Sequence, residues 1–166
     1  MKYLTIIRHA KSSWENPDLD DFDRPLNERG KKAILLIGNF LKENNVQPDF
    51  ILSSSAKRAR KTAEGIATTL NYPTNCILYK HDIYSGDLKQ ILNVISEIDH
   101  YYNDVFLFGH EPILSSLIFH FTKISLEKFP TCAVFRIAFD INHWTETNSK
   151  IGKCEFFVKT KELINK

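Results

Sequence analysis

The chain contains 166 residues, of which 43% are hydrophobic, and its 22 basic and 20 acidic residues leave a formal net charge of +2. This length and composition suffice for an ordinary hydrophobic core, so residues 1–166 are predicted to form a single domain. The small charge surplus argues against nucleic acid or an anionic membrane as the main partner.

The three cysteines, Cys76, Cys132 and Cys154, are widely spaced and odd in number. This pattern favours buried, reduced thiols over a disulfide framework or a CxxC metal site. The apolar stretch before Arg8 is too short for a signal peptide, and no apolar run approaches the length of a membrane span. We therefore expect a cytoplasmic protein without a membrane segment.

The first half of the chain alternates between strand and helix patterns. The apolar run over residues 3–7 predicts a strand that ends at Arg8 and His9, and the acidic stretch over residues 15–24 predicts a loop near that end. Asn27 has the residue type of a helix cap and precedes apolar residues at helical spacing. A short strand is predicted over residues 50–52.

The same alternation continues through the middle of the chain. Ser54 or Ser55 is predicted to cap a second helix with an apolar stripe from Ala59 to Leu70, and residues 76–79 predict a third strand. Asp87 is predicted to cap a further helix. The apolar run 105–108 predicts a fourth strand, after which Pro112 suits the first turn of a helix.

The end of the chain has a different pattern, because residues 132–139 and 155–158 predict two strands around a polar turn, with no helix between them. The whole pattern predicts an α/β fold of the three-layer sandwich type. Its central sheet is mostly parallel and carries helices on both faces, and an antiparallel hairpin is added at the C-terminal end.

Two predicted strands end in a histidine: His9 follows the first strand, and His110 follows the strand over residues 105–108. Because parallel strands end at the same edge of a sheet, both rings are predicted to lie at that edge. Arg8 is predicted to lie there too, as is Arg58, which stands in the first turn of the helix that follows the strand over residues 50–52. Guanidinium groups and imidazoles suit a phosphoryl group. Each residue alone is also compatible with a packed or solvated side chain.

Three stretches of the sequence resemble a known family. Arg8-His9-Ala10, the stretch 54–59 with Thr62-Ala63, and Gly109-His110 together resemble the histidine phosphatase superfamily, which includes the phosphoglycerate mutases. The short chain and the stretches 8–14, 21–26 and 109–112 are most similar to its SixA-like phosphohistidine phosphatase branch. The common signature of the superfamily has glycine where this chain has Ala10, a difference that we interpret as a mark of the branch.

The resemblance implies a phosphoglycerate mutase-like fold and a role for each matching residue. His9 would be the nucleophile, and Arg8, Arg58 and His110 would bind and stabilise the phosphoryl group. Lys11, Ser12 and Glu111 are predicted to contact the substrate, although the first two equally fit a solvated loop. Asp82 is the candidate general acid, and it fits an ordinary turn residue equally well. No metal or cofactor is required.

The resemblance thus implies a phosphatase that forms a phosphohistidine intermediate on His9 and acts on phosphohistidine in a signalling phosphoprotein, such as a histidine phosphotransfer domain. The alternatives are a phosphomonoesterase for a small phosphate ester and a phosphate-binding adaptor without turnover. A mutase is disfavoured, because a mutase needs a lid that keeps water from the phosphoenzyme and this chain has little length to spare for one. A monomer is expected, and whether a partner docks on the acidic loop at residues 15–24 is left open.

Overall fold

The computed structural model describes residues 1–164, which contain a six-stranded sheet of order β3-β2-β4-β1-β5-β6. β1, β2, β3 and β4 run parallel, whereas β5 pairs with β1 and β6 pairs with β5 in the antiparallel sense. This arrangement confirms the mostly parallel sheet with an antiparallel C-terminal hairpin. The strands are β1 (Lys2–Arg8), β2 (Phe50–Ser54), β3 (Leu78–Lys80), β4 (Asp104–Gly109), β5 (Val134–Phe139) and β6 (Lys153–Val158).

Helices cover both faces of the sheet, as predicted for a three-layer sandwich. α1, α2 and α6 pack on one face, and α3, α4 and α5 pack on the other. No helix in the described part of the chain is long and apolar enough to cross a membrane. The helices are α1 (Glu28–Glu43), α2 (Lys57–Thr69), α3 (His81–Ser85), α4 (Leu88–Ser96), α5 (Ile113–Thr122) and α6 (Thr160–Ile164).

The two cores arise from the alternation of side chains along the central strands. In β1, Leu4 and Ile6 are fully buried beneath α4 and α5, whereas Ile7 faces α1 and α2. In β4, Leu107 lies in the core beneath α4 and α5, and Phe106 and Phe108 lie in the core beneath α1 and α2. Because both central strands are covered on both faces, they read in the sequence as continuous apolar runs.

Two of the predicted helix caps are confirmed. The Asn27 side chain accepts a hydrogen bond from the Gly30 N–H at 2.8 Å, and the Asp87 side chain accepts one from Gln90 at 2.9 Å. The predicted cap at Ser54 or Ser55 is wrong, because α2 begins at Lys57 and its N-cap residue is Ala56, which makes no side-chain cap. The Ser54 side chain is instead fully buried, and its hydroxyl contacts a histidine of the site described below.

The third strand begins later than predicted. Cys76 ends a short 3-10 turn, closed by a hydrogen bond from its N–H to the Pro73 carbonyl at 3.0 Å, and β3 starts only at Leu78. As an edge strand, β3 leaves Leu78 exposed, so apolar residues do not mark its bounds. The prediction of buried thiols holds for Cys132 but is wrong for Cys76, which is exposed, and Cys154 is half-buried.

Candidate active site

The ends of β1 and β4 bring two histidines together. The strands are neighbours in register, with Arg8 opposite Gly109, and the His9 N–H donates to the Gly109 carbonyl at 3.0 Å. His9 and His110 follow directly, and their ring centroids are 5.1 Å apart. The edge of the sheet predicted from the strand ends is therefore where the two rings meet.

A cleft of about 380 Å³ opens at this edge. Its walls come from the loops after β1 and β4 and from the first turn of α2. Asp82 is not among its lining residues: the side chain is exposed at the start of α3, so the structure does not bring it together with the other predicted site residues. The lining residues are Arg8, His9, Lys11, Ser12, Trp14, Asp21, Arg24, Arg58, His110, Glu111 and Thr131.

The His9 ring is held in one tautomer. Its Nδ1 lies 2.7 Å from the Ala10 carbonyl, which can only accept, so Nδ1 carries the hydrogen and Nε2 keeps a free lone pair. Burial lowers the pKa of His9 to about 4, and the positive charges of Arg58, Arg8 and Arg24 act in the same direction. The ring is therefore uncharged at neutral pH and carries a lone pair on Nε2.

Ser54 orients His110. The Ser54 hydroxyl oxygen accepts from the Ala56 N–H at 3.1 Å and lies 2.7 Å from His110 Nε2. Donation of the hydroxyl proton to Nε2 would place the hydrogen of the neutral ring on Nδ1, a buried atom without a partner among residues 1–164. Burial, followed by the charges of His9 and Arg58, lowers the pKa of His110 to about 3.

The two predicted arginines keep part of their donor capacity unused. Arg58 donates to the Asp21 carbonyl at 2.7 Å and to Asp21 Oδ2 at 3.0 Å, and Arg8 donates to the Phe129 carbonyl at 3.1 Å. The Nε atoms of both arginines are buried without a partner among the described residues. Both arginines line the cleft, so its walls combine hydrogen-bond donors with positive charge, which is the environment that an oxyanion needs.

Asp21 connects three site residues that the sequence analysis did not link. Its carboxylate accepts hydrogen bonds from Arg58, from Arg24 at 3.0 Å and from the Tyr84 hydroxyl at 2.9 Å. Burial opposes ionisation, but the hydrogen bonds from Tyr84, Arg58 and Arg24 prevail and lower the pKa of Asp21 to about 2. The acidic stretch 15–24, predicted as a plain loop, contains a 3-10 turn at Asp21–Asp23 and is part of the cleft.

Arg24 was also missed as a site residue, and it anchors the same loop from the inside. Its guanidinium donates to the Ser12 hydroxyl and to the Ser13 carbonyl at 3.3 Å, and it stacks on the Trp14 ring with its Cζ 3.2 Å from the ring centroid. Nothing in the sequence indicates that Arg24, a basic residue after four closely spaced aspartates, is buried. Only the fold shows that Arg24 is 8% exposed and lies in the cleft wall.

The sequence comparisons identify relatives of the chain. Residues 4–78 match the model of the histidine phosphatase superfamily (branch 1). An uncharacterised protein of Mycobacterium tuberculosis is 33% identical over 153 residues, which cover 84% of this chain and 90% of that protein.

Solved structures of the same fold cover nearly the whole chain. The protein histidine phosphatase SixA in complex with tungstate superposes with a TM-score of 0.84 at 21% identity, covering 97% of this chain and 99% of SixA. A protein from Agrobacterium tumefaciens assigned as phosphohistidine phosphatase SixA gives 0.81 at 25% identity, with 95% and 97% covered. A mycobacterial glucosyl-3-phosphoglycerate phosphatase gives 0.73 at 13% identity, with 94% and 98% covered.

Both lines of comparison lead to the same assignment. The sequence relative spans most of both chains, and the SixA structures share the complete architecture, including the antiparallel C-terminal strands. No group of three or more His, Cys, Asp or Glu side chains in residues 1–164 is arranged to hold a metal ion. The chain belongs to the histidine phosphatase superfamily, in its SixA-like branch.

Proposed function

We propose that this protein is a phosphatase that transfers a phosphoryl group to His9 Nε2 and then to water, and that its substrate is phosphohistidine in a protein. One observation carries the proposal. The His9 ring is uncharged, its Nε2 carries a lone pair and no hydrogen, and it lies in a cleft that Arg8, Arg58 and His110 also line. Membership of the histidine phosphatase superfamily supports the same class of reaction.

In the first step, the lone pair of His9 Nε2 attacks phosphorus and forms an N–P bond. The bond between phosphorus and the leaving atom breaks at the same time, and its electron pair stays on the leaving atom. When the substrate is phosphohistidine protonated on its other ring nitrogen, that atom becomes the unprotonated nitrogen of a neutral imidazole. The products of this step are the free histidine of the substrate and phosphorylated His9.

Charge on the phosphoryl oxygens is stabilised by donors that are already in place. Arg8 and Arg58 are assigned to bind these oxygens through their free N–H groups, and the His110 Nδ1–H is a further donor. Ser54 keeps that hydrogen on Nδ1, because its hydroxyl donates to Nε2. Such preorganised donors stabilise developing charge more than water does, since they need no reorientation during the reaction.

In the second step, water attacks the phosphorus of phosphorylated His9. The N–P bond breaks, its electron pair returns to Nε2, and a proton of the water passes to solvent or to the released phosphate. His9 returns to its uncharged state, and the Ala10 carbonyl still holds the hydrogen on Nδ1. Lys11, Ser12 and Glu111 line the cleft and are assigned to contacts with the substrate.

The carboxylates of the cleft favour a substrate whose leaving group is weakly basic. Asp21 accepts from three donors and stays ionised, and Glu111 accepts from the Ser115 N–H at 2.8 Å and the Ser115 hydroxyl at 2.5 Å. Neither is arranged as a proton donor, and Asp82 is exposed outside the cleft. A phosphohistidine ring protonated on its other nitrogen departs as neutral imidazole, whose conjugate acid has an ordinary pKa of roughly 6.5, so the leaving nitrogen needs far less protonation than the oxygen of an alcohol.

A turnover comparison tests the proposal. The protein is given three substrates at equal concentration: a phosphohistidine-bearing protein, a phosphoserine peptide and an aryl phosphate. We expect kcat/KM to be highest for the phosphohistidine protein and to fall to background for all three in His9→Asn, which keeps a polar side chain without the nucleophile. A preference for the phosphoserine peptide would contradict the substrate assignment, and full turnover by His9→Asn would contradict the mechanism.

The runner-up is a phosphomonoesterase for a small phosphate ester. The fold match to a mycobacterial glucosyl-3-phosphoglycerate phosphatase shows that this architecture also serves such substrates. The same comparison separates the two, because a small-ester enzyme would turn over the aryl phosphate or a sugar phosphate faster than the phosphohistidine protein.

A further inference from the structure

A second depression adjoins the catalytic cleft. It has a volume of about 290 Å³ and lies between α1, α6 and residues 130–131, and we call it the α1–α6 groove. Lys11 and Thr131 line both the groove and the catalytic cleft. A molecule bound in the cleft can therefore extend into the groove without leaving the protein surface.

The charged residues that line the groove are all cations. None of them forms an ion pair with a carboxylate of residues 1–164, in contrast to Lys31, which pairs with Glu28 at 3.1 Å on the same helix. Glu162 on α6 also makes no ion pair with these cations; its carboxylate accepts a hydrogen bond from the Lys159 backbone N–H at 3.2 Å. The five cations are Lys11, Arg29, Lys32, Lys159 and Lys161.

The loop that contributes Asp21 to the lining of the catalytic cleft is acidic. The loop over residues 15–24 carries Glu15, Asp18, Asp20 and Asp23 in addition to Asp21, and the first four are exposed. An anionic partner is repelled on this side and attracted along the α1–α6 groove. The charge pattern therefore gives a bound partner a preferred direction.

Two features favour a protein over a small polyanion in the groove. Its floor is apolar, formed by Ala33, Leu36 and Pro130, and therefore suits the side chains of a protein surface better than a phosphate. Trp14, which lines the catalytic cleft, is 75% exposed, and large exposed aromatic side chains are enriched at protein interfaces.

We infer that the α1–α6 groove binds a carboxylate-rich surface of the phosphorylated protein, next to the phosphohistidine that enters the catalytic cleft. This inference rests on the proposed function and adds to it the chemistry of the partner. The groove supplies recognition outside the reacting atoms, so it acts on the binding of the protein substrate and leaves the chemical step unchanged.

The test uses the double variant Lys32→Glu/Lys161→Glu. Both side chains are exposed in the groove, and neither lines the catalytic cleft. The control is Lys31→Glu, which makes at the neighbouring position of α1, outside the groove, the charge change that Lys32→Glu makes within it. The protein substrate is a phosphorylated histidine phosphotransfer domain with an acidic surface around its histidine, and the small substrate is an aryl phosphate.

We expect the double variant to lose about tenfold in kcat/KM on the phosphorylated domain, mainly through a higher KM, because rim charges act on association. Activity on the aryl phosphate should stay within about twofold, as should both activities of Lys31→Glu, since exposed charges contribute little away from the binding surface. Added salt should lower the wild-type kcat/KM on the domain and have less effect on the double variant. An unchanged kcat/KM on the domain, or an equal loss on both substrates, would overturn the inference.

A binding measurement separates this inference from the proposed function. The fluorescence anisotropy of the labelled, unphosphorylated domain is followed as wild type, the double variant or Lys31→Glu is added. If no phosphorylated substrate is turned over but the double variant alone loses affinity, the proposed function fails and the groove assignment stands. If affinity is the same for all three proteins, the groove assignment fails whatever the activity.

Discussion

Arg58 and Arg136 are buried to nearly the same extent, 7% and 6% exposed, but their surroundings differ. Arg136 on β5 uses all three of its nitrogens, donating to Glu155 at 2.8 Å, to Thr5 at 2.7 Å and to both Asp104 oxygens at 2.9 and 2.6 Å. Arg58 donates to Asp21, and its buried Nε has no partner among the described residues.

The difference separates a structural cation from one available to a ligand. Asp104 begins β4, at the opposite end of the strand from His110, so Arg136 lies away from the catalytic cleft and closes a network between strands. Arg58 lines a cleft open to solvent, where an anion can take up its unused donors. Burial alone does not distinguish these roles, whereas the complete list of hydrogen-bond partners does.

The largest expected effect on catalysis is at Arg58. Arg58→Lys keeps the charge but removes the planar set of donors, so kcat/KM on a phosphohistidine protein should fall by about 10²- to 10³-fold. Arg136→Lys, the matched control, should keep the activity of the folded protein within about threefold, since it touches no cleft residue. Equal losses of activity in the two variants would refute the contrast between the arginines.

The next effect is on stability at Arg136. Arg136→Leu leaves Asp104, whose side chain is 16% exposed, buried without its partner, so the free energy of unfolding should fall by about 3–5 kcal/mol. Chemical denaturation at pH 7 measures this change, and Arg58→Leu, whose partner Asp21 is half exposed at 50%, should cost less. A larger loss in Arg58→Leu than in Arg136→Leu would contradict the assigned roles.

A third prediction concerns the dependence of stability on pH. The pKa of His9 falls from 6.5 to about 4 on folding, so the unfolded chain binds more protons between these values and stability declines as the pH drops. From pH 7 to pH 4, wild type should lose about 3 kcal/mol more of its unfolding free energy than His9→Asn. Parallel stability curves for the two proteins would show that the buried ring titrates normally.

The smallest expected effect is at Ser54. Ser54→Ala removes the donor to His110 Nε2 and frees the hydrogen of that ring to move between its nitrogens. We expect kcat to fall by about tenfold with KM nearly unchanged, because the donor acts on the developing charge. Ser54→Thr, which keeps the hydroxyl, should recover part of the rate if the buried site accepts the extra methyl, and Ser53→Ala on the same strand controls for the loss of a buried hydroxyl.

The sequence predicts the edge of the sheet better than it predicts the contacts around it. The strands ending in His9 and His110 were predictable, because a strand covered on both faces reads as an apolar run and parallel strands end together. The position of Arg58 followed from the helix after β2. The predicted positions of His9, His110 and Arg58 depend only on local sequence patterns and on the rule that parallel strands end at the same edge of a sheet.

The contacts that complete the cleft depend on residues far apart in the chain. Asp21 binds Arg58 across 37 positions, and His110 binds Ser54 across 56. A buried serine at the end of a strand has the same residue type as a helix cap, which explains why Ser54 was interpreted as one. Asp82 was proposed from the resemblance to larger relatives, and its role remains a prediction, since the structure leaves it exposed outside the cleft.

The central claim is that His9 Nε2 carries the phosphoryl group during turnover. The most direct measurement is a rapid acid-free quench of wild type with a ³²P-labelled phosphohistidine protein, followed by peptide mapping. The account predicts a label on the peptide containing His9 that is stable to base and labile to acid, and no label in His9→Asn. A label on another residue, or steady turnover with no phosphorylated enzyme at any time after mixing, would contradict it.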